Sequence, residues 1–145
     1  MCLEKLIEGL PDWEEGYKLM FIEEDCIYGE IYNGYKKRSL NKWLDEKSFR
    51  ICQDKTEIIV SSFVKYLIGW HVFKSLEGCQ KWLSDLIYTC KPKEMDSTEF
   101  KIQTLNKFKI YKVKCRKPLA HGYQNSDIVG VFKEVKFIEE VKDEE

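Results

Sequence analysis

The chain has only two histidines, at positions 71 and 121, and none of its six cysteines stands in a C-x-x-C pair. Familiar zinc spacings are therefore missing, which argues against a structural metal. No apolar run approaches the roughly 18 residues that a membrane span needs. The N-terminal stretch MCLEKLIEGLPDW carries acids where an export signal carries bases. These absences predict a cytoplasmic protein with no membrane partner, whose cysteines are free thiols rather than a disulfide framework. Cys79 and Cys115 fall on apolar faces and are the expected core members. Also missing are a G-x-S-x-G elbow, a P-loop, a G-x-G-x-x-G turn, an H-E-x-x-H helix and any internal repeat. No cofactor is expected from the motifs.

What remains describes a packed domain. With 145 residues, the chain is long enough to bury roughly 70% of its unfolded surface around one core. Hydrophobic residues at 43% and aromatics at 14% can supply that core, and charged residues at 34% suit a solvated surface. Charge is unevenly spread. Residues 1–30 hold two bases against nine acids, residues 31–117 nineteen against nine, and residues 118–145 three against seven. Within the basic middle, residues 101–117 contain seven bases and no acid, the one segment suited to phosphate. The overall balance and the lack of a recognition motif argue against a nucleic-acid partner.

The pattern predicts an α+β domain over residues 1–138, a mostly antiparallel sheet with one principal amphipathic helix and shorter helices, and an acidic, frayed tail over 139–145. Leu3, Leu6, Ile7 and Leu10 have helical spacing, closed by Gly9 and Pro11. GYKLMFI and CIYGEIY read as strands before an Asn33-Gly34 turn. Ser39 is placed to cap a short helix through Trp43 and Leu44. EIIV and YLIGWHVF are further strands. Ser75 should cap the main helix, whose apolar stripe is Leu76, Cys79, Leu83 and Leu86. In KIYKVKC, Tyr111, Val113 and Cys115 alternate with Lys112, Lys114 and Arg116, giving one apolar and one basic face. PLAHGYQNSD reads as a turn-rich connection, and IVGVFKEVKFI as the last strand.

The candidate ligand-binding residues are Trp70, His71, Lys112, Lys114, Arg116 and His121. By alternation His71 shares a face with Leu67, Gly69 and Phe73, and Trp70 shares the other with Tyr66, Ile68 and Val72. Gly69 would leave an uncrowded point where a ligand could approach His71. The bland alternative is a ring that serves local hydrogen bonding. His121, in AHGYQ, suits a turn as well as a site.

GYKLMF, GWHVFKSLEGCQKWL, IYKVKC, AHGYQ and VFKEVKF together resemble a loose group of small phage and prophage proteins, over about residues 16–140. The resemblance implies a non-catalytic module that binds a host protein or a small charged ligand, and antagonism of a host defence system. A fainter resemblance, to ADP-ribosyltransferase folds, implies the alternative. There His71 and Glu134 would form a catalytic pair, His71 holding the ribose of an NAD cofactor and Glu134 assisting transfer.

Overall fold

A computed structural model describes residues 3–23, 26–28, 34–36, 41–45, 58–60, 64–90, 98 and 108–142. Ten strands and one main helix follow in the order β1 (Lys5–Leu6), β2 (Glu15–Glu23), β3 (Cys26–Tyr28), β4 (Gly34–Lys36), β5 (Trp43–Asp45), β6 (Ile58–Val60), β7 (Lys65–Leu67), β8 (Trp70–Phe73), α1 (Leu76–Cys90), β9 (Phe108–Gln124) and β10 (Asp127–Glu140). The fold is therefore mainly β, an antiparallel sheet with a single principal helix, and not the α+β domain with several helices that the sequence pattern predicts.

The two predicted short helices are the reason for that correction. Lys5–Leu6 pairs with Tyr123 and Gly122 on β9, and the Glu4 and Ile7 amides donate to the Tyr123 and His121 carbonyls at 2.8 and 2.9 Å. Edge pairing satisfies this backbone better than an isolated turn could, and Leu6 and Leu10 remain exposed instead of forming a buried stripe. Trp43–Asp45 likewise joins β10, opposite Glu134, Val135 and Lys136. Ser39 lies outside the described residues, as does Asn33, while Gly34 opens β4 opposite Tyr28.

The turn-rich reading of PLAHGYQNSD is also corrected. β9 runs through it to Gln124, and only Asn125 and Ser126 turn, both with positive φ, as a two-residue hairpin requires. Pro118 sits at a bulge, where Val131 faces Ala120 but Phe132 faces Pro118, leaving Leu119 unopposed. Lys117, just before it, takes a φ of 58°. At the far end β10 extends through Glu140, and the Val141 amide donates to the Ile110 carbonyl at 2.7 Å, so ordered structure continues beyond the expected tail boundary at 139.

The pairings close on themselves. β2 pairs with β9, β9 with β10, β10 with β8, and β8 returns to β2 through Phe73 and Tyr17. Inside this ring lie Met20, Trp70, Val72, Tyr111, Val113, Cys115, Phe132, Val135 and Phe137, with Leu44 of β5. Phe137 meets Trp70 and Tyr111 edge-on, at 5.9 and 5.8 Å between ring centres. A second apolar cluster, including Leu19, Phe73, Cys79, Val129 and Val131, lies between the outer face of the ring and α1.

The strand-to-helix junction agrees with the sequence pattern. β8 ends at Phe73, Ser75 Oγ accepts from the Gly78 amide at 3.1 Å, and α1 turns Cys79 into the second cluster with Leu76, Leu83 and Leu86 packed around it. Glu77 sits in its first turn. Among the described residues no helix is long and apolar enough to cross a membrane. Because Phe137 is fully buried among two other rings, Phe137→Ala should cost about 3–5 kcal/mol of unfolding free energy. Leu83→Ala, on the partly buried helix face, should cost less; urea unfolding of both variants measures the contrast.

Candidate functional site

His71 is enclosed, 4% exposed, and every polar atom of its ring is engaged. Nδ1 lies 3.2 Å from the Gly69 carbonyl, which can only accept, so Nδ1 carries the hydrogen. Nε2 must then accept, and the Tyr66 hydroxyl donates to it at 2.9 Å. The Tyr66 oxygen in turn accepts from the Leu3 amide at 2.9 Å. This saturated relay ties the N-terminal segment to β7 and β8. Burial, reinforced by the charge of Lys18, pushes the His71 imidazole down to about 3, so the ring is neutral at physiological pH.

The ring's neighbours differ from those that alternation predicts. Tyr66 lies beside His71, while Trp70 and Val72 point into the ring of strands with its eight other core residues. Alternation fails because residues 68 and 69 break the strand: β7 pairs with β6 in a separate two-stranded sheet, and β8 joins the main one. Nor is Gly69 uncrowded. A Cβ there would come within 2.7 Å of the Phe132 carbonyl and 2.8 Å of Val131, so the glycine admits a crossing strand, not a ligand. Trp70 is wholly buried and donates its indole N–H to the Leu44 carbonyl at 3.1 Å. Lys18, which the strand pattern did not single out, is 4% exposed, donates to the His71 carbonyl at 2.9 Å and lies 5.8 Å from the Trp70 ring centre.

Glu134 is engaged elsewhere. Its carboxylate accepts from Arg116 Nε and, at 3.1 Å, from Lys117 Nζ, and the Arg116 bond leads the effects that hold it below the usual carboxylate range. It shares no hydrogen bond with His71. His121 stands on β9 between β1 and β10, half-buried, with no hydrogen-bond partner at Nδ1.

Of the predicted binding residues, Lys114 and Arg116 come together at a groove of about 530 Å³ near the bulge end of the ring. Its lining combines three cations, Lys114, Arg116 and Lys117, with three acids, Asp12, Glu14 and Glu15, and Trp13, Trp43 and Phe132 supply the apolar surface. The acidic and basic segments lie side by side on the β2–β9 ladder, in which Glu15 faces Lys114, and the Cys115 amide donates to the Glu14 carbonyl at 2.8 Å. Arg116 lies over Trp43, 4.0 Å from guanidinium carbon to ring centre, and Lys136 lies 5.4 Å from the same ring. Trp13 packs edge-on against Phe132 at 5.1 Å. Gly130 makes room for it, since a Cβ there would come within 2.7 Å of the indole.

Lys112, although it alternates with Lys114 and Arg116, does not line this groove, and neither do Trp70, His71 or His121. The aromatic lining is not legible in the sequence pattern, which predicts a short helix through Trp43 and places Trp13 in no element. The charge segregation along the chain was the available clue. Cys115 borders the groove as a thiol, since burial pushes it up to about 12 with Glu14 and Glu15 adding to the effect; it is no ready nucleophile. Among the described residues, no group of three or more His, Cys, Asp or Glu side chains could hold a metal ion. No family model, curated protein or solved structure matches the chain.

The neutral enclosed histidine has a pH consequence. Once unfolded, His71 titrates near 6.5, so below that pH the unfolded state binds a proton that the folded state refuses. Stability is therefore full above about 6.5 and falls by up to about 1.4 kcal/mol per pH unit down to about 3. His71→Gln should be less stable at pH 7 yet show a shallower acid limb in urea unfolding. Parallel limbs would mean that the ring is not held neutral.

Proposed function

We propose that the protein is a non-catalytic binding module that holds a small charged ligand in the Trp43 groove. The observation that carries the reading is the placement of a fixed guanidinium, two further cations and two indoles around one open groove. Such a site has aromatic surface for contact and a few placed charges for orientation, and its volume falls in the range common for small ligands. Support also comes from the saturated His71 relay and the raised Cys115 thiol, which supply neither a base nor a nucleophile. Following the resemblance to phage and prophage domains, the place of action is the host cytoplasm and the ligand is a component of a host defence system.

The transferase alternative needs His71 and Glu134 on one substrate, and their separate partners weigh against it. Incubation with NAD and a sensitive assay for released nicotinamide tests this directly. No release above the protein-free control is expected from wild type; release that disappears in folded Glu134→Gln would reinstate the enzyme. In a thermal-shift screen of charged metabolites, at least one should raise the melting temperature of wild type but not of Trp43→Ala. A panel that shifts neither protein would count against the groove as a binding site.

A further inference from the structure

The groove's basic and acidic residues differ in what they can bind, and the difference selects a ligand class. Arg116 is held from two sides: its guanidinium stacks on Trp43, and its Nε is bonded to Glu134. Neither Nη group has a partner among the described residues, so a planar fork is fixed in place with the four N–H donors of its two amino groups to spare. Lys114, exposed and without an ion pair among the described residues, stands two positions away on the same strand face. A phosphate suits this corner, because it accepts from a guanidinium fork and an ammonium together.

The acidic lining residues, Asp12, Glu14 and Glu15, can accept from hydroxyl groups, and with Glu15 directly across the ladder from Lys114 they would repel any phosphate beyond the one that Arg116 and Lys114 hold together. Trp13 offers an aromatic surface on which a planar ring can stack. We propose, resting on the binding-module reading above, that the groove takes a mononucleotide: phosphate on Arg116 and Lys114, base against Trp13, ribose hydroxyls toward the acidic residues. A continuous nucleic-acid strand fits less well, since its repeating phosphates would meet the acidic residues.

Calorimetry and tryptophan fluorescence at low salt, using AMP, adenosine, inorganic phosphate and a short single-stranded oligonucleotide as probes, test the assignment. AMP should bind about tenfold or more tighter than either adenosine or inorganic phosphate, since each lacks one of the two recognised parts. Arg116→Ala should weaken AMP by about tenfold or more. Lys114→Gln, at an exposed position, should weaken it less and keeps the test valid if Arg116→Ala fails to fold. Lys65→Gln, on β7 and outside the groove, should leave it unchanged.

Equal affinity for AMP and adenosine would show that the phosphate is not read, and equal affinity for AMP and inorganic phosphate that the ring is not. Either result overturns the nucleotide while leaving a binding groove. A tighter complex with the oligonucleotide overturns it in favour of a nucleic-acid surface. Binding of none of the four probes also overturns it, and the module itself then stands or falls on whether another charged metabolite stabilises wild type but not Trp43→Ala.

Discussion

The long antiparallel ladder between β9 and β10 is the interaction on which the remaining sheet depends. β1 and β2 attach to β9, β5 and β8 attach to β10, and only β3 and β4 build outward from β2. A straight ladder of this length would give a flat sheet with open edges. The bulge at Lys117, Pro118 and Leu119 bends it, so that β10 pairs with β8 along its first half and with β5 along its second. Bending lets β2 reach both β9 and β8 and close the ring around Trp70, Phe132 and Phe137. The same bulge puts Arg116 and Lys117 both within reach of Glu134, although strand alternation alone would send adjacent side chains to opposite faces.

What was legible in the sequence was mostly local. Ser75 and the 76-79-83-86 stripe located α1 because capping and helical periodicity act within a few residues. The Tyr111, Val113 and Cys115 alternation located the core face of β9 for the same reason. The failures involve partners distant in sequence. Leu3 to Leu10 has the spacing of a helix, yet β9 captures its backbone from more than a hundred residues away. Pro118 and Gly122 look like breakers, but one occupies a bulge and the other lies where β1 crosses.

His71 shows the same division between composition and environment. The sequence marks it as conspicuous without saying whether it is conspicuous for chemistry. Its partners decide the matter: the Gly69 carbonyl fixes the tautomer, Tyr66 fills the remaining nitrogen, and Leu3 fixes Tyr66. Any two of these contacts would leave a buried polar atom uncompensated, which costs more than the bond contributes. A phenylalanine could fill the volume but could not satisfy the Gly69 carbonyl and the Tyr66 hydroxyl. A structural account of the histidine therefore requires no substrate.

Charge segregation along the chain acquires a spatial meaning from the strand pairing. Asp12, Glu14 and Glu15 come from the acidic first thirty residues, and Lys114, Arg116 and Lys117 from the basic run that ends at 117. The β2–β9 register sets these two segments side by side, Glu15 opposite Lys114, and the result is a groove lined by both signs of charge. Opposite charges directly across a ladder stabilise it only modestly, since both are exposed to water. Sheet stability alone thus gives little reason to concentrate three acids and three bases around one aromatic recess. Glu134 sharpens the point: by holding Arg116 and Lys117 it removes conformational freedom from two cations that would otherwise sample solvent. Cations fixed before a ligand arrives lose less entropy when it binds, and that preorganisation is what the proposed binding reading of the groove would use.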